Sequence, residues 1–340
     1  MTTIAENIQT LRSIKSDIKN AIIQKGGSVT DAFGTYAQAI TNLPSGGGGG
    51  TEIEDALVTR TLSVYSNDRV SSVGDYAFYS YSNLTSIDLP NCISVGSCAF
   101  TYCDKISYID LPNCEYIYGD AFAYCYSLAS VSLPKVRHLN DFAFYNCSAL
   151  QSIDLSLISF VGGSTFEYCS ALSYVNLPNC TNTSGEAFGV CSALTYVNLP
   201  ECILINYLTF GFCSALPSID LPKCDTISGR GFENCAALSI ISLPLCRRLD
   251  YAAFANCTNL AQVYLNSVSS VTTISSDTFS NCPNLTSVYV PASLVDAFKT
   301  APNWSSLSSK IVAYREVANT ETDGPEIGGG VDEGGDIEIE

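Results

Sequence analysis

Sixteen cysteines and a single histidine carry most of the chemistry this chain could do, and their spacing decides which chemistry is open to them. Thiols could pair as disulfides, hold zinc, or act as nucleophiles beside a base. Nine stand in one phase of a 22-residue period with one longer step at the end: Cys103, Cys125, Cys147, Cys169, Cys191, Cys213, Cys235, Cys257 and Cys282. Six more (Cys92, Cys114, Cys180, Cys202, Cys224 and Cys246) share a second phase, and only Cys98 is out of step. Val136, Ile158 and Val268 fill that second phase elsewhere, so the position accepts a small hydrophobe and the thiols are expected to be buried and unpaired. Side chains stacked on successive turns of chain point in parallel rather than at each other, which disfavours disulfides. Zinc lacks both a C-x-x-C pair and a usable histidine. His138, in Lys135-Val-Arg-His138-Leu139, has no acid, serine or second histidine in phase beside it and is expected in a solvated bend. No nucleophile elbow, P-loop or dinucleotide fingerprint occurs in a suitable setting. The residues therefore imply no catalytic constellation, no enzyme and no cofactor.

Composition agrees. The chain has 340 residues, 46% of them hydrophobic, enough for a substantial core. Its 33 acidic and 16 basic residues leave a net charge of -17, which offers no footprint for nucleic acid. No apolar run approaches the ~18 residues of a membrane span, so no membrane insertion is expected. The opening Met1-Thr-Thr-Ile-Ala-Glu lacks the basic and apolar regions of a secretion signal, so synthesis in the cytoplasm without ordinary secretion is expected.

The elements that position these residues follow from a repeat. Phenylalanine recurs at 78, 100, 122, 144, 166, 188, 210, 232, 254 and 279, usually after a small residue, with leucine or isoleucine six positions later and, in all but the first, cysteine three positions later. Leu84-Thr-Ser-Ile87-Asp-Leu89-Pro90-Asn-Cys92 reads L-x-x-L-x-L-x-x-C, the leucine-rich repeat signature in its cysteine form. The expected fold is a parallel-strand solenoid of ten coils of about 22 residues. Each coil contributes one strand, Leu84 to Leu89 in the first, and ten coils stacked at ~4.8 Å extend about 43 Å. Phenylalanine reaches in from the opposite wall.

Two columns then point outward from the strands. They hold Tyr108, Tyr174 and Tyr196 in one, and Asp110, Asn176, Asn198, Asp220 and Tyr264 in the other, among serines and further acids, without lysine or arginine. Tyrosine with serine and asparagine is the mixture antibody loops use, so these residues are the candidate ligand-binding face. Tyr174 and Tyr196 on adjacent coils should form a paired ledge with Asn176 and Asn198 beside them. Asp88 and Asp110, one coil apart, should repel, which raises their pKa values or places a cation such as calcium between them.

Outside the repeats, residues 1–45 form a separate module. Ile4, Ile8, Leu11, Ile14, Ile18 and Ile22 draw one apolar stripe along a helix of about six turns. Gly26-Gly27 stops it, and Phe33, Tyr36, Ile40 and Leu43 suggest a second, shorter helix. Two helices cannot bury both stripes, so the module is expected to attach to assembly partners or to copies of itself. A glycine linker at 46–51 separates it from a solenoid at 52–290, a cap at 291–314 with Trp304 in its core, and an acidic tail at 315–340. Within the tail, Asp336-Ile-Glu-Ile-Glu340 could add a strand to a neighbour.

The wording of the coils, Leu-Thr-Ser-Ile-Asp-Leu-Pro followed by Ala-Phe-x-x-Cys, resembles the BspA-like leucine-rich repeats of bacterial and phage proteins over about residues 73–290. That resemblance implies a non-catalytic adhesive or interaction surface. Ile18-Lys-Asn-Ala-Ile-Ile-Gln-Lys-Gly-Gly-Ser-Val-Thr30 with Tyr36-Ala-Gln-Ala-Ile40 is similar to the opening of structural proteins of phages of gut bacteria, with Gly26-Gly27-Ser28 where those often have a single glycine and a β-branched residue. Together the two resemblances imply a virion display protein binding a glycan or protein on the host surface. The alternative is a bacterial BspA-like adhesin or an intracellular interaction scaffold.

Overall fold

A computed structural model of the chain describes residues 62–315. The attachment module expected at 1–45, the glycine linker at 46–51 and the acidic tail beyond Arg315 lie outside the described residues.

Along one wall, short strands, mostly of three residues, recur once per coil and pair in parallel in four successive ladders, Tyr174–Asn176 against Tyr196–Asn198 for example. They are shorter than the Leu84–Leu89 span expected from the repeat: the observed strand is Ser86–Asp88. The flanking leucines are buried, but Leu84 and Leu89 close turns through their backbone groups. The Leu84 N–H donates to the Tyr81 carbonyl (2.9 Å), and the Cys92 N–H donates to the Leu89 carbonyl (3.1 Å). Pro90 then has no N–H to offer the next coil. The wall begins one coil earlier than the phenylalanine count implies. Val64–Ser66 pairs in register with Ser86–Asp88, placing Tyr65 where later coils carry isoleucine or valine. The solenoid thus has about eleven turns, and at its far end Ile311–Tyr314 adds a parallel strand to Ser287–Pro291.

A second wall was not expected. Two-residue strands run from Ser72–Val73 to Thr273–Ile274, and they include His138–Leu139. His138 is therefore in a strand and not in a bend. Its ring is exposed and stacks on Tyr116 (4.7 Å between centroids, 2° between planes).

The third side is built on the phenylalanines. Phe78 to Phe279 form one file of ten rings with centroids 5.0–5.6 Å apart and nearly parallel planes. Backbone hydrogen bonds link these turns along the axis, as from the Phe100 N–H to the Ala121 carbonyl (2.7 Å). Ala99, Ala121, Ala143, Ala187 and Ala253, each preceding a phenylalanine, are fully buried.

The cysteines complete this core. All sixteen are unpaired and fifteen are buried. The nine in the first phase each donate from Sγ to the carbonyl of the preceding coil's phenylalanine at 3.0–3.2 Å. Here the thiol is a small apolar group that also joins coil to coil, a use valine cannot reproduce. In the second phase the six thiols bond the carbonyl two residues on, a local contact that tolerates replacement by Val136, Ile158 or Val268.

After the last coil, the short helix Val295–Thr300 and a 3-10 turn bring Phe298 and Trp304 over the end of the stack. Trp304 is fully buried against Phe279 and Phe298, and its Nε1 donates to the Thr272 carbonyl (2.7 Å).

Candidate recognition surface

Alternation along each three-residue strand aims its first and third side chains outward and buries the middle one. Tyr108, Tyr174 and Tyr196 are 42–50% exposed, whereas Asn176, Asn198 and Tyr264 are half-buried. Parallel registration sets Tyr174 directly beside Tyr196, with ring centroids 5.2 Å apart and planes 9° from parallel. The pair therefore stacks and does not lie flat. Its inner faces cover each other, and the neighbouring strands carry only Ser152 and Ser218 in that column, so the outer faces are left open. Burial, then Tyr196 and Asp154, raises the Tyr174 phenol pKa, keeping it a neutral hydrogen-bonding group.

The amides beside the rings are tied into a ladder. Asn198 Nδ2 donates to Asn176 Oδ1 (2.7 Å), and Asn176 Nδ2 donates to Asp154 Oδ1 (3.0 Å). Each amide is thus held in one orientation, presenting its remaining N–H and lone pair in a fixed direction.

Other candidate residues separate from this centre. Tyr108 and Asp110 pair with Ser130 and Ser132, and the strand Ser152–Asp154 also lies between them and Tyr174. Asp220 is exposed on the strand beyond Asn198 and pairs with Ser242. Tyr264 belongs to a different cluster at the capped end. It stacks on Tyr289 (4.6 Å) and meets Tyr314 edge-on (6.4 Å), while its hydroxyl donates to Gln262 Oε1 (3.0 Å). Tyr314 was not singled out from the sequence, since it lies past the last repeat and reaches this cluster only because its strand returns to the ladder. The calcium reading finds no donor set: among the described residues no three acidic, histidine or cysteine side chains gather, and Asp88 accepts a hydrogen bond from the Ser66 hydroxyl (2.8 Å).

This repeated outward face can be compared with known proteins. The model of the BspA type leucine-rich repeat region matches residues 71–195 and 181–303, which is more than half of the chain. The chain belongs to the BspA-type leucine-rich repeat family. No curated protein matches it. Among solved structures, it is similar to a leucine-rich cell surface protein from Faecalibacterium prausnitzii, with 20% identity over 74% of this chain and 87% of that one and a TM-score of 0.40. It is also similar to a leucine-rich repeat protein of T. pallidum, at 23% identity over 56% of this chain and 81% of that one with a TM-score of 0.43. A leucine-rich repeat protein from Bacteroides ovatus gives 17%, 74%, 92% and 0.39 for the same quantities. The BspA-type match begins at residue 71 and gives no support to the expected likeness of residues 18–40 to phage structural proteins.

Proposed function

We propose that this BspA-type protein is a non-catalytic recognition protein, adhesive or protein-binding, whose outward strand face captures a ligand at a cell surface. The observation that carries this reading is the Tyr174–Tyr196 stack. Its two open outer faces, with the fixed amide ladder alongside, suit a sugar ring or the apolar edge of a partner protein. The two outward columns contain no lysine or arginine, so the ligand is not selected for negative charge.

Replacing both tyrosines (Tyr174→Ala with Tyr196→Ala) tests it. Neither ring fills the core, so the melting temperature should move by no more than about 2 °C. Retention of the protein on intact bacterial or host cells, measured as a dissociation constant, should weaken about tenfold or more. Unchanged retention would move the ligand off this face.

The Ile4–Ile22 stripe and the glycine run favour a second reading, a display element anchored in a virion or another assembly. On that reading, deleting residues 1–45 leaves a cooperatively folding solenoid that no longer self-associates or enters its assembly. Sedimentation showing the same oligomeric state, with incorporation unchanged, would count against it.

A further inference from the structure

The largest group of exposed aromatic rings lies away from the strand face, on the phenylalanine-side turns of the first five of these coils. Ring contacts run without a break along Tyr76, Tyr79, Tyr102, Tyr124, Tyr145 and Tyr168, at centroid separations of 4.6–5.8 Å. Tyr126 joins at Tyr124 and Phe142 joins at Tyr145. Tyr76, Tyr102, Tyr126, Phe142 and Tyr168 are each 38–42% exposed. Five of the contacts turn neighbouring planes by 63–89°, which leaves ring faces open that a parallel stack would hide.

Five of these rings stand on left-handed backbone, which turns them outward from the phenylalanine file. Tyr76, Tyr102, Tyr124, Phe142 and Tyr168 all have φ between 58° and 63°, the left-handed region that a bulky side chain occupies at a cost. Other coils place Ser80, Asn146, Asn234, Asn256 or Asn281 at the position of Tyr102, Tyr124 and Tyr168, and two coils outside the ribbon place Val190 and Phe212 there, all with the same positive φ. Asparagine is the comfortable occupant there. The left-handed turn is thus a property of the repeat, kept whatever side chain it carries, and in the first five coils it carries rings that meet from coil to coil.

Charge says what such a surface suits. The five turns, 74–82, 96–104, 118–126, 140–148 and 162–170, contain Asp75, Asp104, Asp120, Asp141 and Glu167 and no lysine or arginine. The ion pairs among the described residues all lie between residues 201 and 250, so none of them neutralises this surface. Asp75 and Asp141 bond backbone N–H groups of the next coil, but buried Asp104 Oδ1 has no hydrogen-bond partner. Burial and then Asp141 raise the Asp120 pKa; burial and then Glu186 do the same for Glu167. Tyr145 is pushed up to about 12, chiefly by burial and then by Glu167. Open ring faces among unneutralised carboxylates are the setting in which a guanidinium gains both cation–π and ionic contacts.

We propose that this ribbon is a second recognition surface, independent of the strand face, and that its ligand is an extended, arginine-rich polypeptide segment of a partner protein. Four coil steps of ~4.8 Å make the ribbon about 19 Å long, the reach of roughly six extended residues.

The test uses the full chain and a fluorescent octapeptide of alternating arginine and serine, followed by anisotropy near physiological ionic strength. Lysine–serine and glutamate–serine octapeptides and xylohexaose serve as comparators. The arginine peptide should bind several-fold more tightly than the lysine peptide, because guanidinium stacks on rings better than ammonium does. Replacing Tyr102, Tyr124 and Tyr168 together with asparagine should weaken it about tenfold or more, with the melting temperature unchanged or higher because asparagine suits the left-handed backbone. Glu167→Gln with Asp120→Asn, which keeps side-chain size, should weaken both basic peptides, while Tyr174→Ala with Tyr196→Ala should weaken neither. Equal binding of arginine and lysine peptides that ignores the tyrosine substitutions would reduce the effect to general attraction by the net charge and overturn the proposal. So would binding of xylohexaose in place of the arginine peptide, or a fall in melting temperature with peptide affinity unchanged.

Discussion

Raising the pH from 8 to about 10.5 should unfold the solenoid cooperatively, although its backbone contains nothing sensitive to alkali over that range. The cause is the cysteine file. Burial raises every thiol from its ordinary 9.0, to about 12 for Cys103, Cys169 and Cys213 and to about 11 for Cys180 and Cys282. In the unfolded chain the same groups ionise near 9, so between 9 and 11–12 the folded state holds more protons. Stability is then complete below pH 9 and falls as the pH rises through the window. At one unit above the unfolded pKa each thiol whose folded pKa is pushed to 11 or higher costs somewhat over ~1 kcal/mol. Fourteen thiols held far above their ordinary value together cost on the order of 20 kcal/mol, more than the ~5–15 kcal/mol that holds a typical domain. Circular dichroism and thiolate ultraviolet absorbance should therefore change in a single transition with a midpoint between about pH 9.5 and 10.5. Native ellipticity persisting at pH 11 would show that the thiols are not the limiting groups.

Phe144→Ala should cost about 3–5 kcal/mol and divide the cooperative unit. Phe144 is fully buried between Phe122 (5.3 Å) and Phe166 (5.6 Å), and its carbonyl receives the Cys169 thiol (3.2 Å). In a quasi-one-dimensional stack each coil has only two neighbours, so a void in the middle weakens both interfaces at once and no other contacts bridge it. Guanidinium unfolding should lose its single sharp transition and show the two halves separating. Phe279→Ala, at a half-buried ring beside the cap, should fray only the end and cost less. A loss below about 1 kcal/mol with one sharp transition retained would mean that the neighbouring rings close the gap.

Which fold forms could be read from the chain because the same apolar demand is written ten times over. A phenylalanine and three leucine-like residues at fixed offsets, with a cysteine beside them in nine of the ten coils, can be buried together only if successive coils stack. Alternation within Ser86–Asp88 and its equivalents likewise assigned Tyr174, Tyr196, Asn176 and Asn198 to one outward face. Registration at a constant 22 residues then made Tyr174 and Tyr196 neighbours. What the period does not specify is how ring planes turn, where backbone hydrogen bonds go, or which weakly patterned stretches pair. The leucines at the strand ends close turns through their own backbone groups, the first by its N–H and the last by its carbonyl, and the stretch around His138 became a strand paired with residues 22 positions away. Stacking also set the Tyr174 and Tyr196 rings face to face, and the returning strand Ile311–Tyr314 brought Tyr314 to Tyr264. The aromatic ribbon was present in the sequence only as tyrosines near the phenylalanines. Its continuity depends on left-handed turns that carry side chains from neighbouring coils into contact. The repeating burial of apolar groups, a property of residue type and spacing, was therefore determined by the sequence alone; the orientation of exposed rings and amides, where no burial constrains them, was decided by the backbone geometry of the stacked coils.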